Sequence, residues 1–186
     1  MICFIKVTCA VRQAQKTADK ICNRVPIHEQ SSSEYSHDQI PYVINVIPAV
    51  AGVGQIPKSD SNYLVYKFDF KYSKRAIVDM QTWGFIKLWT TVNQESKELL
   101  AVQLVHESAA ELIEYYNMMI QLRMFNCGKS TLNPEKTCEN SILTVGIPLK
   151  DVSQLHFVHP TYAESVKEVC DYILGQSTIY HGTYVN

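Results

Sequence analysis

The stretch that decides the fold is "WGFIKLWTTVNQESKELLAVQLVHESAAELIEYYNMMIQL", residues 83–122. Two apolar runs, 83–92 and 98–107, are rich in β-branched and aromatic residues and flank the polar "NQESK". That is the pattern of a β-hairpin. Directly after it, Ser108 stands three residues ahead of Glu111, the spacing of a helix capping box. Leu112, Ile113, Tyr116, Met119 and Ile120 then recur at helical spacing as one apolar stripe. A hairpin that runs into an amphipathic helix buries both apolar surfaces when the helix lies on the sheet.

The flanking segments extend this sheet. "YVINVIP" (42–48) and "AVAGVGQ" (49–55) read as two short strands with a tight connection. "YLVYKFDFKY" (63–72) alternates apolar and polar from Tyr66 on, which suits a half-buried antiparallel strand. Towards the ends the pattern turns helical. "TCAVRQAQKTADKICN" (8–23) puts Ala10, Ala14, Ala18 and Ile21 on one face, and "IPLKDVSQL" (147–155) is a short helix. Thr161 and Glu164 make a second capping box, opening a helix over 163–174 that ends near Gly175. "SSSEYSHDQ" (31–39) reads as a linker and "RMFNCGKSTLNPEKTCENS" (123–141) as a polar insertion. Strands first and helices after predict an α+β fold: an antiparallel β-sheet of about five strands with helices packed on one face.

Composition narrows the function. Of the 186 residues 46% are apolar and 19% charged, the profile of a globular chain. The net charge of −1 gives no footprint for nucleic acid or an anionic membrane surface. No apolar run reaches the roughly 18–20 residues of a membrane span. The start, "MICFIKVTCAVRQ", lacks a basic n-region and reads as structure, not as a signal peptide. The six cysteines, Cys3, Cys9, Cys22, Cys127, Cys138 and Cys170, form no C-x-x-C pair and no zinc-ligand spacing, so no metal site is expected. Reduced thiols in an intracellular, reducing compartment follow, with cytoplasm, mitochondrion and plastid all open. Cys127 and Cys138 share one polar segment and could meet across a hairpin.

Most motif-like stretches dissolve on inspection. "AGVGQIP" has Gly52 and Gly54 but Pro57 where a dinucleotide fingerprint needs a third glycine, so a strand kink is the better reading. "CGKS" ends like a phosphate loop, but Arg123 stands at its required first glycine. His106-Glu107 begins no zinc-protease helix motif, and Met118, Met119 and the tyrosines suit a core or interface. "LHFVHPTYAE" (155–164) keeps two readings. His159 is a base whose ring Glu164 orients from the following helix turn, or the stretch is a proline turn and a helix cap. His156 is a further ring nearby, of the kind that is more often structural.

Several blocks resemble the C-terminal dimerisation domain of the FAD-dependent pyridine nucleotide–disulfide oxidoreductases, the family of dihydrolipoamide dehydrogenase and glutathione reductase. "IPYVINVIPAVAGVGQ" (40–55) looks like the start of that domain. Residues 83–122 are similar to its strand–hairpin–helix segment, where the family writes a G-F-x-K strand, an "ILG" strand and an "A-x-E-L-I" helix. "HPTYAE" (159–164) matches the family's H-P-T-x-x-E signature, and the blocks run in family order over roughly residues 40–175. "TCAVRQAQKTAD" (8–19) is similar to the helix that closes the family's FAD domain, with Cys9 in place of its proline. Other departures are "IPKSDSN" (56–62), which leaves little room for the helix the family places after the second strand, and Leu100-Ala101 for its L-G. Ile47 and Phe157 stand where many members carry histidines.

The resemblance implies a homodimer in which His159 reaches the partner subunit's flavin–dithiol site as acid–base, oriented by Glu164. It places Thr8 and Val11 on the flavin side. It implies an orphan helix and linker over 1–30, and a dimerisation domain over 31–186 with an insertion near 123–146. FAD and NAD(P) are implied for a full-length protein, whose nucleotide-binding domains would precede residue 8. This chain alone is expected to bind neither and to be inactive. A non-catalytic dimerisation or assembly module and an unrelated α+β binding domain with a structural H-P-T turn are the other readings.

Overall fold

The computed structural model describes residues 7–23, 40–58, 62–92, 97–127 and 148–177. The expected 31–39 linker, residues 128–146 of the expected insertion, and Cys138 with its pairing lie outside the described residues.

The alternation of apolar and polar residues resolves into five strands: β1 (Tyr42–Ile44), β2 (Val50–Gly54), β3 (Tyr63–Asp69), β4 (Phe85–Thr91) and β5 (Leu99–Val105). They form one antiparallel sheet in the order β1-β2-β5-β4-β3. Tyr66 pairs with Leu88, Leu88 with Val102 and Val102 with Val53; Phe68, Ile86, Leu104 and Ala51 pair in the same way two positions along. Residues opposite one another share a face, so these two rows make one continuous apolar surface, none of it more than 2% exposed. The row between them, Lys67, Lys87, Gln103 and Gly52, falls on the other face.

The helices cover the apolar face. α3 (Ala109–Cys127) packs over β2 and β5 and buries Leu112, Ile113, Tyr116 and Ile120. α5 (Glu164–Ile173) adds Val166, Val169, Cys170 and Ile173 to the same core, with α4 (Leu149–Ser153) packed against it. Each such side chain contributes about 1.5–3 kcal/mol by leaving water. α1 (Val7–Ile21) forms where the alanine spacing places it. Lys97, just ahead of β5, links β3 to α5: its buried Nζ donates to Tyr66 Oη at 3.0 Å and to the Ile173 carbonyl at 3.1 Å.

Three elements depart from expectation. "FKY" and "KRAIV" form a 3-10 turn (Phe70–Tyr72) and a short helix, α2 (Lys74–Val78), in a stretch too short to show helical periodicity. α3 runs through Cys127, so residues 123–127, expected to lie beyond the helix, are helical. The second capping box is half formed, as described below.

The β2 glycines serve strand pairing. Gly54 has φ +88°, and a Cβ there would stand 2.2 Å from the Leu100 carbonyl oxygen. Gly52 lies under the Tyr42 ring opposite it, 2.5 Å from where its Cβ would be. The positive φ of Gly54 fits the kink reading, whereas Gly52 makes room for the close approach of the Tyr42 side chain in a regular strand.

Candidate functional site

The turn before α5 begins where α4 ends. Thr161 Oγ1 donates to the Val158 carbonyl at 2.8 Å, closing the loop around a cis His159–Pro160 peptide. Glu164 is the first residue of α5. Its Oε2 accepts the Thr161 N–H at 2.9 Å, which is the glutamate's half of a capping box. The Thr161 hydroxyl is committed to Val158, so the reciprocal half does not form.

The other carboxylate oxygen, Glu164 Oε1, lies 2.8 Å from His159 Nδ1. An ionised carboxylate only accepts, so Nδ1 carries the proton and a neutral ring keeps its lone pair at Nε2. The His159 side chain is 61% exposed and Glu164 16%, so a fixed carboxylate holds an imidazole that stands out in solvent. Burial pushes the Glu164 carboxyl up, but the hydrogen bonds from His159 and from the Thr161 N–H outweigh it and hold the group below the usual 4.5. The pair can take a proton at Nε2 and stabilise the resulting imidazolium.

One turn further along α5, Glu168 lines a cleft of about 300 Å³ together with Glu164, Lys74, Tyr72, Phe68 and Asp171. Both Glu168 carboxyl oxygens are buried without a hydrogen-bond partner, and Lys74 Nζ is 3.9 Å from Oε1. Burial, the largest influence, pushes this carboxyl up to about 6. The sequence reading missed Glu168; its i, i+4 spacing from Glu164 was the available signal.

Tyr162 ties the turn to the sheet. Its ring lies 4.8 Å from that of His106, and its hydroxyl donates to Gln81 Oε1 at 3.2 Å. The sequence brings together His159 and Glu164 as expected. Thr8 and Val11 lie on α1, and Val11 is 59% exposed. Among the described residues no cluster of three or more His, Cys, Asp or Glu side chains is placed to hold a metal ion. No helix among them is long and apolar enough to cross a membrane. The Cys170 thiol is buried and pushed up to about 12 by that burial, which makes it a packing residue and not a nucleophile.

Comparison with known proteins agrees with this fold. Residues 40–127 match the model of the pyridine nucleotide-disulphide oxidoreductase dimerisation domain. A dihydrolipoamide dehydrogenase from Chaetomium thermophilum is 28% identical over 151 residues, covering 77% of this chain. The chain spans 25% of that relative's length. Among solved structures, LpdA from Mycobacterium tuberculosis superposes with a TM-score of 0.61 at 15% identity, over 88% of this chain and 30% of its own. The Cu(II) complex of the HOCl-induced flavoprotein disulfide reductase RclA from Escherichia coli gives 0.61 at 17% identity, over 88% and 31%. At these identities the two structures speak for the fold.

Proposed function

From a chain that carries the dimerisation domain of the pyridine nucleotide-disulphide oxidoreductases, we propose a homodimer in which each copy's His159 serves the partner subunit's thiol site as acid–base. Glu164 orients the ring. The observation that carries this reading is the 2.8 Å contact between Glu164 Oε1 and His159 Nδ1 beneath an exposed imidazole. In that arrangement Nε2 accepts a proton from an attacking thiol and returns it to the departing one, while the carboxylate offsets the charge on the ring. Gly52 and Gly54 are taken up by strand pairing. FAD and NAD(P) in this reading belong to nucleotide-binding domains of a complete enzyme, with α1 and its Thr8 and Val11 at their boundary. The 186-residue chain by itself is then inactive, and a reducing, intracellular setting suits the free thiols of Cys22 and Cys170.

In a complete enzyme bearing those domains, His159→Gln is expected to lower disulfide turnover by about 10²–10⁴-fold with dimers intact. Unchanged turnover would refute the base assignment. Light scattering of the chain is expected to show dimers, and a strict monomer would refute the assembly.

The family match ends at residue 127, short of the His159 turn. That favours, as a second reading, an assembly module whose H-P-T turn is structural. The same His159→Gln measurement separates the two.

A further inference from the structure

His106, which the sequence reading set aside, sits at a junction of three segments that are distant in the chain. It directly follows β5, is fully buried, and lies among the rings of Phe70 (4.2 Å between centroids), Tyr162 (4.8 Å) and Trp83 (5.2 Å). The Ser108 N–H donates to its Nδ1 at 3.1 Å. Nδ1 is therefore an acceptor, and the ring proton belongs on Nε2, which faces the Gln81 carbonyl oxygen at 3.3 Å. The Gln81 side chain completes the junction. Its Oε1 accepts from Tyr162 Oη at 3.2 Å and its Nε2 donates to Glu107 Oε2 at 2.7 Å. Tyr162 lies three residues after His159 and two before the end of the loop that Glu164 closes.

We infer that His106, Gln81 and Tyr162 form a latch that positions the His159–Glu164 pair by fastening its turn to the end of β5. These are positioning residues: none touches the reacting atoms, and their effect reaches His159 through Tyr162. The inference deepens the acid–base reading of His159 and rests on it for its functional meaning, but its geometry can be tested apart from turnover.

The latch depends on the protonation of His106. A second ring proton would meet the Ser108 N–H head-on and abolish that hydrogen bond. Burial holds the ring below the usual 6.5, against the Gln81 carbonyl, Glu107 and Asp79, which favour the charged form. Asp79 and Glu107 also face Tyr162, as does Arg75. A histidine with a lowered folded-state pKa costs stability once the unfolded or opened form binds the proton. The fastening is therefore complete above about pH 6.5 and weakens as the pH falls below it.

Hydrogen exchange on the 186-residue chain tests this. The Thr161 amide, which is bonded to Glu164, reports on the pair's geometry. Tyr162→Phe keeps the ring and removes the bond to Gln81. It is expected to speed Thr161 exchange about fivefold, the effect of losing one ordinary hydrogen bond of about 1 kcal/mol, with Val102 exchange unchanged. In the unmodified chain, Thr161 protection is expected to fall between pH 7 and pH 5, after correction for intrinsic rates, more than in His106→Phe. That difference is the readout that a merely structural role of His106 would not move. Equal pH dependence in the two chains overturns the latch, and so does unchanged Thr161 exchange in Tyr162→Phe. If His106→Phe fails to fold, the Tyr162→Phe result alone decides. A shift in exchange together with normal His159→Gln turnover would leave the latch standing and sink the acid–base reading.

Discussion

Glu168→Gln is expected to stabilise the fold at pH 8 and to have little effect at pH 4. The Glu168 side chain is 19% exposed, but its carboxyl oxygens are buried without a hydrogen-bond partner, and Lys74 stands 3.9 Å away. Burial, opposed by Lys74 and assisted by Glu164 and Asp171, raises the group from 4.5 to about 6. The folded chain thus holds this proton more tightly than the unfolded chain does. Below about pH 4.5 both states are neutral and the carboxyl costs nothing; above about pH 6 both are ionised and the folded state carries the full penalty. A tenfold change in proton affinity is worth about 1.4 kcal/mol, so the penalty at pH 8 is about 2 kcal/mol. Glutamine keeps the shape and removes the charge. Urea unfolding at the two pH values measures the difference. At a slope of about 1–3 kcal/mol/M, the midpoint should rise by about 1 M at pH 8 and stay within error at pH 4. A midpoint that moves equally at both pH values, or falls at pH 8, would refute the reasoning, because it would mean that the carboxylate is usefully paired.

Two further substitutions probe the turn and the sheet. Glu164→Ala removes the acceptor of both the Thr161 N–H and the His159 ring. With His159 exposed the ion pair is worth at most about 1 kcal/mol, and the amide bond adds about 1 kcal/mol, so urea unfolding at pH 7 should show a loss of about 1–2 kcal/mol. Because the folded Glu164 lies below its usual 4.5, this contribution is present above that pH and the gap to the unmodified chain should close in acid. Gly54→Ala meets the Leu100 carbonyl and an unfavourable φ of +88°. It is expected to cost more than about 2 kcal/mol, and a thermal melt indistinguishable from that of the unmodified chain would contradict the placement of β2 against β5.

The strands and α3 are legible in the sequence because their information is local. Tyr66 and Phe68 flank Lys67, Ile86 and Leu88 flank Lys87, and Val102 and Leu104 flank Gln103, and that two-residue period is what a sheet with one buried face requires. The stripe from Leu112 to Ile120 carries the helical period in the same way. α2 is illegible for the opposite reason. Five residues span less than two helical turns, and of "KRAIV" only Ala76 is buried. Its position is set by Phe70 beneath the sheet and by the Phe70 N–H bonded to the Gly84 carbonyl at 3.1 Å, neither of which has a short-range signature.

At the site the boundary between legible and illegible follows sequence separation. His159 and Glu164 are five residues apart and the turn brings them together, whereas Tyr162 finds Gln81 across 81 residues and His106 finds Gln81 across 25. The sequence posed the H-P-T stretch as a choice between a base and a cap. The carboxylate has two oxygens, and the turn uses both: Oε2 caps the Thr161 amide while Oε1 meets His159 Nδ1. The amide bond fixes the carboxylate, and the fixed carboxylate fixes the ring, so the cap is the means by which the histidine is oriented. A glutamate that only capped would leave His159 free to rotate, and one that only paired with an exposed ring would gain too little from the pair to hold it. Glu164 reads both as a helix signal and as the partner of His159 in the sequence because the turn uses one of its oxygens for each.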